Sequence, residues 1–176
     1  MTMTSRIFLA GAIVFTGVAL AQTSGGSTAA KQPSETAGAD ATFIQKAAQG
    51  GIAEVELSKL AEQNAQSGDV KKFAEHMVRD HSSNNRELEK IATKENVALP
   101  KELDSEHAAI RDKLASLKDE KFDKAYIDAM RTDHQKMEDL LKSSEATVTS
   151  PELKTYIKKT TAAVEAHLRE ADKLKE

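Results

Sequence analysis

From Thr42 onward the chain is almost free of residues that stop a helix: after Gly50 and Gly51 the only glycine is Gly68, and the only prolines are Pro100 and Pro151. Inside a helix, glycine costs about 1 kcal/mol and proline about 3 kcal/mol relative to alanine. The stretches between these points are therefore free to run as long helices, and the points themselves mark the boundaries.

Thr42 with Gln45 reads as a capping box opening a first helix to about Ser67, where Gly68 takes the left-handed closing position and Asp69 caps the next. The second helix runs to about Asn96, with Val70, Phe73, Met77, Leu88 and Ile91 on one stripe. Beyond Pro100, Leu103 to Leu117 predicts a shorter connecting helix. A third long helix starts at Asp119 and carries Phe122, Tyr126, Met130, Met137 and Leu141. Ser150 followed by Pro151 is a cap with proline in the first helical position, opening a fourth with Leu153, Ile157, Val164, Leu168, Ala171 and Leu174. No segment carries strand alternation. Helices of about 25 residues are roughly 37 Å long. The Asn96–Asp119 connection can travel that distance, so the expected fold is all-α, a ferritin-like antiparallel four-helix bundle with an extra short connecting helix.

Ahead of this region, Met1 to Arg6 is a short positive stretch and Ile7 to Ala21 an apolar run ending in Ala19-Leu20-Ala21. That is the pattern of a cleavable secretory signal, residues 1–21. A membrane span needs roughly 20 apolar residues, and this run is shorter and holds Gly11 and Gly17. Residues 22–41, rich in Gly, Ser, Thr and Ala, read as a flexible linker, leaving 42–176 for the bundle. The expectation is an exported protein, periplasmic or outer-membrane-associated, with no integral membrane segment after cleavage. Its homo-oligomeric state stays open.

The chain has 25 basic and 28 acidic residues, net charge -3, and no basic stripe, which argues against nucleic acid. It has no cysteine, which excludes disulfides, thiolate metal sites, a thiol nucleophile and a lipidated cysteine. Any metal must be held by histidine and carboxylate.

Three histidines fall where the core should be. His81 shares a stripe with Met77 and Leu88, His134 with Met130, Met137 and Leu141, and His167 with Val164, Ala171 and Leu174. On the first helix, Glu56 sits near the middle of the arc of Ile52, Ala53, Val55 and Leu60, and Glu54 at its edge above Gly50 and Gly51. Counted from the turns, Glu56, His81, His134 and His167 all approach mid-height. Desolvating such a set costs several kcal/mol unless something compensates. A divalent transition metal is one compensator, with zinc, copper, iron, nickel and manganese all suited to imidazole and carboxylate. The plainer alternative is three core histidines hydrogen-bonded to Asn84, Tyr126, Asp80, Asp133 or backbone. Three at one level with a glutamate tip the balance toward metal.

Met77-Val78-Arg79-Asp80-His81 and Met130-Arg131-Thr132-Asp133-His134 repeat the pattern Met-x-x-Asp-His. Asp80 and Asp133 are candidates to orient a histidine, on their own or a neighbouring helix. His76, off the stripe, and His107, in the connector, are expected to be solvated, and the methionines to be core packing. No phosphate loop, nucleophile elbow or His-Glu-x-x-His is present.

The segments Ala53-Glu54-Val55-Glu56-Leu57-Ser58-Lys59-Leu60-Ala61, Val70-Lys71-Lys72-Phe73-Ala74, Met77 to His81 and Phe122-Asp123-Lys124-Ala125-Tyr126 resemble the exported bacterial family called domain of unknown function 4142. The resemblance spans about Thr42 to Lys173 and includes His134 and His167-Leu168. It implies a ferritin-like four-helix fold and a periplasmic or cell-envelope location, often with an outer-membrane label, and brings no established activity. Ferritin-like di-iron enzymes carry Glu-x-x-His on two helices, whereas Val78, Arg131 and Val164 stand three residues before these histidines. That departure counts against oxygen activation and iron mineralisation. The expected reading is a non-catalytic bundle holding a transition metal through His81, His134, His167 and Glu56 or Glu54. Its rivals are a metal-free structural or stress-related envelope protein and a peroxide-consuming metalloprotein.

Overall fold

The computed structural model describes residues 35–174, with side chains from 38. The expected signal segment and residues 22–34 of the expected linker lie outside the described residues. Five helices follow in order: α1 Glu35–Asn64, α2 Gly68–Lys94, α3 Ser105–Ser116, α4 Asp119–Glu145 and α5 Pro151–Ala171. α1 packs on α2 and α4, α5 packs on α4 and α2, and α3 lies against α1 and α4. This is the expected all-α four-helix bundle with a short extra helix.

Two aspartates reveal the directions. Asp123, near the start of α4, accepts the N–H groups of Gln66 (2.9 Å) and Ser67 (2.7 Å) in the α1–α2 turn. Asp40, near the start of α1, accepts the N–H groups of Thr149 (2.8 Å) and Ser150 (3.1 Å) between α4 and α5, and the Thr149 hydroxyl (2.9 Å). The end of α1 thus meets the start of α4, and the start of α1 meets the end of α4, so the two are antiparallel. Given the short turns, every neighbouring pair is antiparallel while α2 and α4, diagonal partners, run parallel. The 95–118 connection must then travel the length of the bundle, the ferritin-like crossover.

The helix ends follow the local chemistry, with differences from the sequence reading. α1 begins at Glu35, so residues 35–41 continue the helix instead of forming a tether, and Thr42 donates its hydroxyl to Gly38 O (2.7 Å) inside the helix instead of capping it. The sparse apolar content of this turn hides the anchoring by Asp40. The cap of α2 is Ser67, whose Oγ accepts from Asp69 and Val70, and Gly68 is the first helical residue. Asn96, at φ 55°, takes the left-handed position that ends α2, and Val97 N–H reaches back to Ala92 O (2.9 Å). α5 opens at Ser150 with Pro151 first, as expected, but the orphan N–H of Ser150 is satisfied by Asp40.

The core is split. One apolar cluster joins Phe43, Ile44, Ala47, Leu88, Met137, Leu141, Tyr156, Ile157 and Val164 among others. A second joins Leu57, Ala61, Phe73, Met77, Leu114, Phe122, Tyr126 and Met130 among others. Between them lies a polar layer of buried Glu54, His81, His134 and His167.

Candidate metal centre

Each of the four long helices supplies one residue to this layer: Glu54 from α1, His81 from α2, His134 from α4 and His167 from α5. All four are essentially sealed from solvent, at 1–3% exposure. Small residues on α1 permit the close packing. A Cβ on Gly51 would lie 2.0 Å from Asn85 Oδ1, and one on Gly50 would lie 2.6 Å from Met137 Cε.

The rings converge. His167 Nδ1 lies 3.2 Å from His81 Nε2 and 3.3 Å from His134 Nε2, and the three ring centroids are 5.1–5.3 Å apart. The other nitrogen of each ring faces an oxygen. His81 Nδ1 is 2.8 Å from Glu54 Oε2, and His134 Nδ1 is 2.9 Å from Met130 O and 3.4 Å from Glu54 Oε1. His167 Nε2 is 3.3 Å from Asp80 Oδ2. An oxygen acceptor favours a proton on the nitrogen it faces, which leaves the opposite nitrogen with its lone pair. The three lone pairs then point at one another.

Charge tells the same story. Burial alone would raise the Glu54 carboxyl, but the ring N–H groups of His81 and His134 that face it outweigh burial and hold the group down at about 2. Burial, with the neighbouring rings, pushes His167 down to about 4, and burial likewise lowers His134. Near neutral pH the layer therefore combines an ionised carboxylate with neutral imidazoles at His134 and His167. Three facing lone pairs beside a buried carboxylate are relieved by a cation at the three nitrogens. The spacing suits one, since metal–nitrogen bonds of about 2.0–2.1 Å separate tetrahedral ligand atoms by about 3.3 Å. His81, His134 and His167 thus fit a transition-metal ion, with Glu54 behind two of the rings.

The sequence reading placed the three histidines together and at one level. It left Glu54 and Glu56 both open as the inward carboxylate; the structure leaves Glu56 half-buried and out of contact with the rings and turns Glu54 inward. The buried stripe of α1 runs through Ala47, Gly51, Glu54, Ser58 and Ala61. An arc drawn only on large apolar residues misses this small-residue stripe. Asp80 orients His167 on the neighbouring helix and not His81. Tyr126 bonds Ser58 (2.8 Å) instead of a histidine, and Asn84 is buried near His81 without joining the ring contacts given above. Asp133 faces away from His134, with its nearest cationic groups His107 Nε2 at 3.8 Å and Lys136 Nζ at 4.0 Å; burial, opposed by His107, raises it to about 6. His107 is partly enclosed, its Nδ1 2.8 Å from Asp104 Oδ1, and is not a solvated residue as expected. His76, also expected in solvent, packs against His167 with centroids 5.2 Å apart and contacts Asp80 and Glu170. Its signal was the pairing of His76 with Asp80 four residues on and of His167 with Glu170 three residues on.

Fold and layer together define an antiparallel four-helix bundle with a buried three-histidine centre. The chain belongs to the family described as domain of unknown function DUF4142, whose family model matches residues 25–174. No curated protein matches significantly. Among solved structures, it is similar to a DUF305 fragment from Deinococcus radiodurans, at 15% identity and TM-score 0.70, covering 77% of this chain and 94% of that one. It is also similar to CopM in the Cu(II)-bound form (18% identity, TM-score 0.66, 76% of this chain and 93% of that one). CopM in the Ag-bound form gives 19% identity and TM-score 0.64 over the same shares of the two chains. At these identities the likeness establishes the fold alone. No described helix is long and apolar enough to cross a membrane.

Proposed function

We propose that this protein binds one transition-metal ion through His81, His134 and His167, with Glu54 fixing two of the rings, and that copper is the first candidate. The observation that carries the reading is the convergence of three buried ring nitrogens while the opposite nitrogen of each ring faces an oxygen. Imidazole donors without thiolate suit copper and zinc, and divalent copper stands at the top of the affinity order for such ligands. The Cu(II)- and Ag-bound forms of the similarly folded CopM support copper as the metal to test first.

Binding rather than catalysis is the role that the enclosure supports. A cavity of about 420 Å³ beside Ile52, Asn85 and Leu99, and another of about 530 Å³ beside Glu87, Ile91 and Pro151, lie away from the histidines. Neither gives a substrate access to the centre. The proposal includes export to the periplasm or outer-membrane face, supported by the Met1–Ala21 pattern.

The test is metal analysis of purified protein and of the triple substitution of His81, His134 and His167 to Ala. Wild type is expected to hold about one equivalent of metal and gain thermal stability from it, and the variant to lose both. Unchanged stoichiometry in the variant refutes the assignment.

A further inference from the structure

His167 is the hinge between the buried centre and a second group of ligating atoms nearer the surface. Its Nδ1 faces His81 and His134, and its Nε2 lies 3.3 Å from Asp80 Oδ2. That same Asp80 oxygen is 3.0 Å from His76 Nε2, and His76 Nδ1 is 2.9 Å from Glu170 Oε2. His76, Asp80 and His167 therefore bring three ligating atoms within 4.8 Å of one another, as do the three buried histidines. Unlike the buried set, His76 and Asp80 are open to solvent, each with one third of the side chain exposed.

We propose that His76, Asp80 and His167 Nε2 form a second cation site, an outer station from which the buried centre is loaded. The inference rests on the buried centre described above. Imidazole and carboxylate at this spacing suit the same transition ions as the inner set. Glu170 plays the part for His76 that Glu54 plays for His81, holding one nitrogen so that the other faces the shared oxygen.

A neutral imidazole has one lone pair, so His167 ligates at Nε2 or at Nδ1 and not at both. In the metal-free centre the proton sits on Nε2 beside Asp80, so ligation there requires that proton to leave Nε2 and one to be taken up at Nδ1, which faces the ring nitrogens of His81 and His134. Passage of the cation inward requires that proton to leave Nδ1 and a proton to be taken up at Nε2, beside Asp80. The two stations exclude each other, and the chain holds one ion at saturation.

The experiment is stopped-flow absorbance with Cu(II), comparing full-length wild type with His76→Gln and Glu170→Gln. His76→Gln removes an outer ligand that is not part of the buried centre. It is expected to keep one equivalent of Cu(II) and an affinity within about threefold of wild type, while on-rate and off-rate both fall about tenfold. Glu170→Gln, which leaves every ligating atom in place, shifts both rates the same way by less. An unchanged on-rate in His76→Gln overturns the proposal. So does a loss of affinity matching the loss of on-rate, because His76 would then belong to the final site. A wild type that takes up no Cu(II) overturns the buried centre and the outer station with it. Normal uptake by wild type with unaltered rates in the variants overturns the outer station alone.

Discussion

Replacing Glu54 by Gln keeps the volume of the side chain and removes its charge, so it isolates what a buried carboxylate does for the rings it faces. Glu54 is 1% exposed and lies 2.8 Å from His81 Nδ1 and 3.4 Å from His134 Nδ1. Removing a partner that orients one metal-ligating histidine costs about 10–100-fold in affinity. Because this carboxylate faces two of three rings and is sealed from solvent, the expected loss is at the upper end, about 100-fold, or about 2.7 kcal/mol. Without metal the variant should also lose the stability that ionised Glu54 contributes at pH 7.5, since its folded-state value of about 2 lies below the ordinary 4.5.

The assay follows from the expected loss of affinity. At a metal concentration about 100 times the wild-type dissociation constant, wild type gains about 2.7 kcal/mol, which for a chain of this size raises Tm by about 5–10 °C. The variant, at the same concentration and 100-fold weaker binding, gains about 0.4 kcal/mol and about 1 °C. Chelator competition gives the affinities directly, and Glu56→Gln serves as the control that leaves them unchanged. The reasoning is refuted if Glu54→Gln binds metal as tightly as wild type.

Two other expectations concern the metal-free protein. Asp40→Ala and Asp123→Ala each strip a buried carboxylate from two backbone N–H groups in a distant turn. Each should lower stability by about 2–4 kcal/mol in urea unfolding; a change under about 0.5 kcal/mol would show that the turns hold themselves. Stability should also fall on acidification. The folded-state value of His167, about 4, lies below its ordinary 6.5, so the unfolded chain binds more protons between the two. The contribution of His167 is therefore complete above about pH 6.5 and is lost as pH drops toward 4. Urea midpoints at pH 7.5, 5.5 and 4.5 that do not decline would contradict this.

The long helices and the level of the three histidines were legible because each is an effect within one helix. Stripes at three- and four-residue steps place Met77, His81 and Leu88 on one face, and distances from the turns give their height. Glu54 and Glu56 both stay open in the sequence because the α1 face toward the rings runs through small residues, Ala47, Gly51 and Ser58, which carry little apolar signal. The first turns of α1 were read as linker for a related reason: their anchor is Asp40, whose partners lie 109 and 110 residues away. His76 was missed because its partners divide between its own helix and α5. Neither helix alone shows Asp80, Glu170 and His167 meeting around one ring.

The position of the polar layer has an energetic consequence. It interrupts the apolar core at a level where each of the four long helices supplies one polar side chain, so every helix bears part of its desolvation cost. A lone buried carboxylate and three imidazoles are poorer core material than the leucines and phenylalanines above and below them. The metal-free bundle should therefore be held by its two apolar clusters and loosest between them. Because the three ligating histidines sit on α2, α4 and α5, and Glu54 ties α1 to two of them, an ion bound there links all four helices at once. Its binding free energy then adds to the stability of the whole bundle instead of to one hairpin. Hydrogen exchange reads this directly: amides flanking Glu54, His81, His134 and His167 should gain protection together when metal is added. Protection confined to α4 and α5 would mean that His81 and Glu54 stand outside the centre.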